Sequence, residues 1–166
     1  GWNDISFYGG GLGDGAVQTP NIDRIAAEGV HFSNGYAGNA TCAPSRAALL
    51  TGRYPTRYGF EFTPAPASLM SLVATFDSHR EQLHPGYFLE ENLSDFPPFE
   101  EQGVPTTEIL LPEILASKDY HSILLGKWHL GESEGYTPND RGFDEFLGFL
   151  AGGAMFAEYD LSLIHI

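Results

Sequence analysis

The order of its strand and helix signals restricts the fold of this chain more than any other sequence feature. A helix signal at residues 112–118 precedes an apolar strand signal at 120–125. Earlier, strand signals at 5–8 and 30–32 flank a helix signal at 20–28. Strands that alternate with helices are typical of an α/β fold with parallel strands. We therefore predict an α/β fold with a mostly parallel sheet.

A proline-rich stretch at residues 60–105 interrupts this alternation. Six of the eleven prolines lie there, and residues 87–102 include acidic side chains but no basic one. This composition predicts an excursion over the surface, with one short helix at 69–76.

Composition excludes several classes of protein. The chain has 166 residues, which suits one domain or part of one, and 42% of them are hydrophobic, so wholesale disorder is excluded. A net charge of −14 argues against partners such as nucleic acid or an anionic membrane. No apolar run approaches the ~20 residues of a membrane span. The single cysteine excludes an internal disulfide framework, and no signal peptide opens the chain, although one could have been lost upstream.

The most informative residues lie at the start of a third helix signal, at 43–50. Cys42 precedes this helix, where unpaired backbone N–H groups and the positive end of the helix dipole favour an anion. Arg46 lies one turn further along, and its planar guanidinium fits a tetrahedral oxyanion. The pattern predicts that the Cys42 side chain faces an anion-binding pocket.

A second stretch, Gly126-Lys-Trp-His-Leu-Gly131, directly follows the predicted strand at 120–125. Open α/β sheets bind their ligands beyond the carboxyl ends of the strands. Lys127 and His129 are two residues apart, so they point to the same side of an extended loop. Lys127 supplies a fixed positive charge and His129 a titratable imidazole. We expect both side chains to share one cavity with Cys42.

Each of these residues also has an ordinary structural interpretation. A lone cysteine is most often a small buried hydrophobe, and Lys127 and His129 taken singly would be a surface lysine and a core histidine. Only the context of the two motifs favours a site at Cys42. Arg53 stays open between a structural and a functional role, and Arg57 is interpreted as solvated or salt-bridged.

Two motifs carry a family resemblance: Cys42-Ala-Pro-Ser-Arg46 with Thr51-Gly-Arg53, and the stretch at 126–131. They resemble the two signatures of the type I, formylglycine-dependent sulfatases. Two further segments, 19–29 and 141–148, resemble the stretches that flank those signatures in the family. The resemblance extends from about residue 1 to residue 153 and is weakest over 60–105. Two independent motifs in the expected order make an accidental match very improbable.

The resemblance implies an alkaline-phosphatase-like α/β/α sandwich, incomplete at both ends of this chain. Residues 1–160 would be the N-terminal part of a sulfatase catalytic domain, and 161–166 a tail of uncertain origin. We expect the 166-residue chain alone to be inactive, since other parts of the family's site lie outside it.

For activity, the resemblance implies hydrolysis of a sulfate monoester to an alcohol and inorganic sulfate. The motif cysteine, Cys42, would be converted to Cα-formylglycine by a formylglycine-generating enzyme, and its hydrated aldehyde would carry the nucleophilic hydroxyl. Arg46 would hold the modified side chain and its metal environment. Lys127 would bind the formylglycine and the sulfate oxygens, and His129 would assist deprotonation of the second hydroxyl.

The resemblance also implies one divalent cation, usually Ca²⁺, held by oxygen ligands. Cys42, as formylglycine, would be one metal ligand, and the carboxylate ligands of the family lie outside this chain. Asp4 follows their expected position and does not replace them. The implied substrate is a sulfated small molecule or sulfated carbohydrate, and the implied location is periplasmic, extracellular or lysosomal.

Two alternatives remain open. The same aldehyde chemistry could serve a phosphonate or phosphate monoester hydrolase of the same superfamily. The chain could also be a non-catalytic, sulfatase-like module that only binds sulfated ligands.

Overall fold

The part of the chain that a computed structural model describes comprises residues 2–78, 97–153 and 163–165. The chain divides into two compact units, residues 1–36 and 37–166. Both sequence motifs, at 42–53 and 126–131, belong to the second unit, so the candidate site can be described within one unit.

In the first unit, the prediction of a strand at residues 5–8 is wrong, because Ser6–Tyr8 forms a 3-10 turn instead. The physical reason is Asp23, whose carboxylate accepts the backbone N–H of Phe7, a group that a neighbouring strand would need. The backbone N–H of Phe7 donates to Asp23 Oδ1 (3.0 Å), and the Ser6 hydroxyl donates to Oδ2 (2.6 Å). The same carboxylate therefore ties this turn to the helix that follows.

That helix, α1, spans Pro20–Glu28 as predicted. Pro20 occupies the first position, where a missing N–H leaves no helical bond unmade. The N–H of Gly29 donates to the Ile25 carbonyl (2.9 Å) and ends the helix.

The strand predicted at residues 30–32 is also wrong. These residues are irregular and lead into a turn at 33–34, with Val30 and Phe32 strongly exposed. Three alternating residues are too short a pattern to specify a strand without a pairing partner.

The second unit begins its helices with α2, Cys42–Thr51, which extends the predicted helix by one residue at each end. Pro44 lies in its first turn. Gly52 ends the helix with φ 67°, a left-handed conformation that glycine adopts without steric cost. Ala43 and Ala47, one turn apart, are fully buried, so this face of α2 packs on the core.

Within the excursion at 60–105, the predicted short helix is present and longer than expected, as α3, Ala67–Ser78. Residues 79–96, which contain most of the predicted acidic run, lie outside the described residues. None of the helices in the described ranges is both long and apolar enough to cross a bilayer.

The last helix, α4, spans Leu111–Ala116 and overlaps the helix predicted at 112–118. The Glu113 carboxylate accepts a hydrogen bond from the Leu110 N–H (2.5 Å) and closes the first turn. At its other end, helix α4 stops two residues earlier than predicted, and a turn at 117–119 follows.

One sheet contains the strands β1 (Ile123–Lys127), β2 (Glu145–Phe149) and β3 (Leu163–His165), in that order. β1 and β2 are parallel, with Lys127 paired to Phe149, and β3 is antiparallel to β2. A Cβ on Gly148 would overlap the carbonyl of its partner Gly126, so glycine permits the close approach of the two strands. The parallel pair and the helices before it confirm the predicted α/β class.

Strand β1 begins three residues later than predicted at 120–125 and ends two residues later. Just before the strand, the Ser122 N–H donates to the Asp144 side chain (Oδ2, 2.7 Å) and not to a neighbouring strand. The expectation of a buried strand is wrong, since Ile123 and Leu125 are 49% and 72% exposed.

Strand β2 lies in a segment that was noted only for its family resemblance, and β3 lies in the predicted tail at 161–166. Neither strand was predicted from residue patterns. The division of the chain into a domain at 1–160 and a tail stays a prediction.

Within the described residues, an apolar core joins α2 to the loop that follows β1. Its buried members are Ala43, Ala47, Phe60, Val104, Leu110, Trp128, Leu130, Phe146 and Leu150. Trp128 packs edge-on against Phe143, with ring centroids 5.9 Å apart. The core therefore fixes the backbone next to both motif segments.

Beside this core lies a cluster that we call the arginine clasp, formed by Arg53, Glu108, Glu113 and Arg141. The Arg141 side chain, 3% exposed, donates to the carbonyls of Val104 (2.9 Å) and Glu108 (2.6 Å) and lies 3.7 Å from Glu113 Oε1. Arg53 forms an ion pair with the Glu108 carboxylate. The clasp holds the segment at 104–108 against the core.

Candidate active site

Cys42 is the first residue of α2, and its side chain is exposed. The turn before it is set by Asn39, whose carboxamide oxygen accepts the N–H (2.9 Å) and the hydroxyl (3.1 Å) of Thr41. Thr41 is extended, and the helix starts at the next residue. The thiol therefore lies at the positive end of the helix, among backbone N–H groups that have no partner within the helix.

The second motif follows β1 and continues its pairing with the chain beyond β2. The Trp128 N–H donates to the Phe149 carbonyl (3.0 Å), and the His129 N–H donates to the Leu150 carbonyl (2.8 Å). The backbone of His129 has φ 64°, a left-handed conformation that few non-glycine residues adopt. This bend turns the buried imidazole towards α2.

The two motifs meet through Cys42 and His129. The Cys42 Sγ lies 3.3 Å from His129 Nδ1, although the two residues are 87 positions apart. Nε2, on the other side of the buried ring, has no hydrogen-bond partner within the described residues. The structure thus brings together the predicted nucleophile precursor and the predicted acid–base residue.

Arg46 links the same two segments through their backbone. Its Nε donates to the Trp128 carbonyl (2.8 Å), and its Nη2 donates to the Lys127 carbonyl. The guanidinium therefore fixes the loop that carries Lys127 and His129, one helical turn from Cys42. The positive charge of Arg46 therefore lies near the thiol, while its N–H groups donate to the backbone of the loop.

Lys127, the last residue of β1, donates from Nζ to the carbonyl of Gly152 (2.5 Å). Gly152 lies three residues beyond the end of β2, alongside the motif loop. The four candidate residues, Cys42, Arg46, Lys127 and His129, therefore lie in one cluster, and their catalytic roles stay predictions.

The electrostatics of the cluster favour a neutral imidazole. Burial, together with the charges of Lys127 and Arg46, lowers the pKa of His129 to about 4, against an opposing effect of the Pro64 backbone. At neutral pH the ring therefore offers one N–H donor and one unprotonated acceptor.

The same surroundings favour negative charge at the end of the Cys42 side chain. Burial raises the pKa of the thiol, but the Lys127 charge and hydrogen bonds from the Ala43 N–H, the Thr63 hydroxyl and its own N–H lower it by more. Burial also lowers the pKa of Arg46, which nevertheless stays charged at neutral pH. The cluster is thus suited to stabilise an anion at this position.

Some residues fall outside the predictions. Arg53, left open above, lies in the arginine clasp, which favours its structural interpretation. Sequence reasoning missed Thr63, Pro64 and Gly152, which contact the site from loops without a motif. Only the tertiary fold brings these three residues to the cluster, so no local spacing could have indicated them.

The described residues do not form a cation site. Within them, no group of three or more His, Cys, Asp or Glu side chains could hold a metal ion. The cluster around Cys42 is cationic, whereas Ca²⁺ requires several oxygen ligands. A divalent cation therefore does not fit the residues that the structure describes.

Comparison with known proteins now identifies the class. The family model described as "Sulfatase" matches residues 1–165, and the chain belongs to the sulfatase family. This family uses formylglycine and a divalent cation in general.

Two curated sulfatases are similar to this chain in sequence. The chain is 39% identical over 160 residues to the N-acetylgalactosamine-6-sulfatase of Homo sapiens, covering 96% of this chain and 25% of that protein. It is 34% identical over 150 residues to the arylsulfatase A of Homo sapiens, covering 89% and 23%. The chain thus spans about a quarter of the length of these curated relatives.

Solved structures agree with the sequence relatives. The crystal structure of Ps i-CgsB is similar, with a TM-score of 0.65 and 34% identity, covering 93% of this chain and 27% of that one. The PsFucS1 sulfatase from Pseudoalteromonas sp. has a TM-score of 0.55 and 35% identity, covering 91% and 24%. These likenesses confirm the predicted alkaline-phosphatase-like α/β fold.

Proposed function

We propose that this chain contains the nucleophile-bearing part of an enzyme that hydrolyses sulfate monoesters to an alcohol and inorganic sulfate. The observation that supports it most strongly is the contact between Cys42 Sγ and His129 Nδ1, with Arg46 and Lys127 beside it. Formylglycine made from Cys42 would supply the covalent nucleophile for the sulfuryl group. The exposure of Cys42 at the start of α2 fits access by a modifying enzyme.

Each neighbouring residue has a role that follows from its geometry. Lys127 and Arg46 place two positive charges around the reacting position, where charge on the sulfate oxygens would be stabilised. The low pKa of His129 keeps its imidazole neutral at pH 7, so the ring can accept a proton from a hydroxyl at the position of the thiol. The Arg46 guanidinium donates to the backbone carbonyls of Lys127 and Trp128 and so holds the loop that carries Lys127 and His129 next to that position.

The remaining proposals rest on family membership. The divalent cation is proposed to be Ca²⁺, with carboxylate ligands other than the described residues. The formylglycine-generating enzyme is the proposed partner, and export to the periplasm, the extracellular space or the lysosome is the proposed location. Sulfated carbohydrate is the proposed substrate class. It is supported by the name N-acetylgalactosamine-6-sulfatase and by the Ps i-CgsB structure in complex with k-i-k-neocarrahexaose.

The first test is chemical and needs no substrate. The chain is co-expressed with a formylglycine-generating enzyme, and the peptide that contains its only cysteine is measured by mass spectrometry. Conversion of the thiol to the aldehyde should lower the mass by roughly 18 Da. A Cys42→Ala variant is the control and should show no such change. A thiol that stays unmodified would favour the non-catalytic binding module.

The second test measures turnover in the polypeptide encoded by the complete reading frame. An aryl sulfate should be hydrolysed faster than the matching aryl phosphonate or phosphate, and Lys127→Met should lower kcat/KM by about 10²–10³-fold. Faster turnover of the phosphonate would instead support the alternative ester class. The 166-residue chain alone is the negative control, and measurable hydrolysis by it would contradict our expectation that it is inactive.

A further inference from the structure

We propose that Gly152 is a positioning residue of this site: its carbonyl fixes the Lys127 ammonium, and its lack of a side chain leaves room for the His129 ring beside Cys42. Its role in turnover rests on the function proposed above, whereas its effect on the geometry does not. Gly152 belongs to neither motif.

The backbone contact comes first. The chain beyond β2 runs alongside the motif loop, because the N–H groups of Trp128 and His129 donate to the carbonyls at 149 and 150. Two residues further along, the Gly152 carbonyl accepts the hydrogen bond from Lys127 Nζ. A lysine side chain is flexible, so this acceptor determines where its charge lies relative to Cys42.

The steric contact is independent of the first. A Cβ on Gly152 would lie 2.7 Å from His129 Nε2 and 2.8 Å from Cε1, which is closer than real Cβ atoms approach. The ring cannot retreat freely, because it is buried and its Nδ1 already lies against Cys42 Sγ. Because the ring cannot yield, a side chain at 152 must displace the segment that carries the Lys127 acceptor.

The neighbouring residue provides a matched control. Gly153 is also exposed, and a Cβ on it would meet no atom within 4 Å. Neither Gly152 nor Gly153 has a positive φ, so alanine at either position causes no backbone strain of its own. Any difference between Gly152→Ala and Gly153→Ala therefore reports the contacts of residue 152.

The experiment uses the unmodified thiol, purified from a host without the modifying enzyme. Because Cys42 is the only cysteine, its alkylation by anionic iodoacetate and by neutral iodoacetamide can be followed by mass spectrometry. Both reagents react with the same thiolate, so the ratio of their rates reports the local charge and cancels the thiolate fraction. A purely structural role would change both rates equally and leave the ratio unchanged.

We expect Gly152→Ala to lower the iodoacetate-to-iodoacetamide ratio about threefold, the effect of one unit charge at short range in water. Gly153→Ala should leave the ratio unchanged, and Lys127→Met should lower it as far as Gly152→Ala does. An unchanged ratio in Gly152→Ala, or in Lys127→Met, would overturn the proposal. Failure of the sulfatase proposal would appear separately, as an unmodified Cys42 or no turnover.

A second variant keeps the test decisive if Gly152→Ala folds poorly. His129→Asn shortens the side chain and tolerates the left-handed backbone at this position. In that background Gly152→Ala should change neither the ratio nor the melting temperature, because the ring that the Cβ would meet is gone. If Gly152→Ala lowered the ratio and the melting temperature equally with and without the His129→Asn substitution, the steric argument would be overturned.

Discussion

Arg46 and Arg141 each donate to two backbone carbonyls, but their surroundings differ. Arg141 is buried in the arginine clasp, where Glu113 lies close by and Glu108 pairs with Arg53. Among the described residues of the second unit, Arg46 forms no ion pair with a carboxylate, and Lys127 forms none either. The clasp neutralises its positive charge internally, whereas the charges of Arg46 and Lys127 have no carboxylate partner among those residues.

This difference separates two uses of the same side chain. In the clasp, the guanidinium connects loop to core and contributes to stability. At the site, it connects helix to loop and also leaves a positive field around Cys42, in a chain whose net charge is −14. We therefore expect substitutions in the clasp to affect folding first, and substitutions in the site to affect chemistry first.

The largest effect is expected for Arg141→Ala. It removes two hydrogen bonds to buried carbonyls and leaves Glu113 without its neighbour, so the free energy of unfolding should fall by about 3–5 kcal/mol. Urea denaturation followed by circular dichroism measures this loss. Arg141→Lys keeps the charge without the planar fork and should lose less. A loss below ~1 kcal/mol in Arg141→Ala would show that the clasp is not a stability element.

Arg46→Ala should cost less in folding and more in chemistry. Two hydrogen bonds from a half-buried guanidinium are expected to contribute about 2 kcal/mol to the free energy of unfolding. In the polypeptide of the complete reading frame, kcat/KM for an aryl sulfate should fall by about 10²–10³-fold, and Arg46→Lys should recover little of it. If Arg46→Ala destabilised the chain as much as Arg141→Ala, the proposed difference between the arginine clasp and the site around Cys42 would be wrong.

Acid should change folding stability in opposite directions through the buried His129 and the exposed His121. His129 has a folded pKa of about 4 against an ordinary value of 6.5, so between these values the unfolded chain binds more protons and stability falls as pH falls. A hydrogen bond to Glu145 raises the pKa of exposed His121 against some desolvation, with the Asp144 charge adding to the rise. Its stabilisation is fully present below pH 6.5 and is lost as pH rises through the folded value.

Melting temperatures between pH 4 and 8 measure both effects. His129→Asn should flatten the decline towards acid, whereas His121→Gln should remove stability on the acid side. A decline that is unchanged in His129→Asn would contradict the low pKa assigned to the buried ring.

The smallest effect is expected for Arg53→Gln. The Arg53 side chain is 45% exposed, so water and salt screen its ion pair, and the glutamine amide can still donate to the Glu108 carboxylate, which is only 9% exposed. The loss should therefore stay below ~1 kcal/mol. The loss should shrink further in 1 M NaCl, where the Debye length is about 3 Å. A loss comparable with that of Arg141→Ala would mean that the clasp acts as one unit.

The two sides of the site differ in how far the sequence could predict them. Cys42 and Arg46 were predictable because Pro44 and Gly52 delimit their helix locally. Lys127 and His129 both contact Gly152, but the left-handed backbone of His129 (φ 64°), and not the extended loop that their spacing assumed, directs the imidazole there.

The remaining neighbours depend on tertiary pairing. Gly152 reaches the site only because β2 pairs in parallel with β1, and β2 was not predicted. Thr63 and Pro64 come from the proline-rich excursion, where no periodicity exists to indicate which residues face the site. The 3-10 turn at Ser6–Tyr8 shows the same limit, because a carboxylate 16 residues away from Phe7 determines its backbone.

Strand β1 has a practical consequence for handling the isolated chain. Among the strands that the structure describes it lies at one end of the order, and its side chains Ile123 and Leu125 are 49% and 72% exposed. An open strand edge beside aliphatic side chains lets a second copy add its own strand. Concentrated samples should therefore aggregate over time, and light scattering should show slower growth of particles for Leu125→Lys.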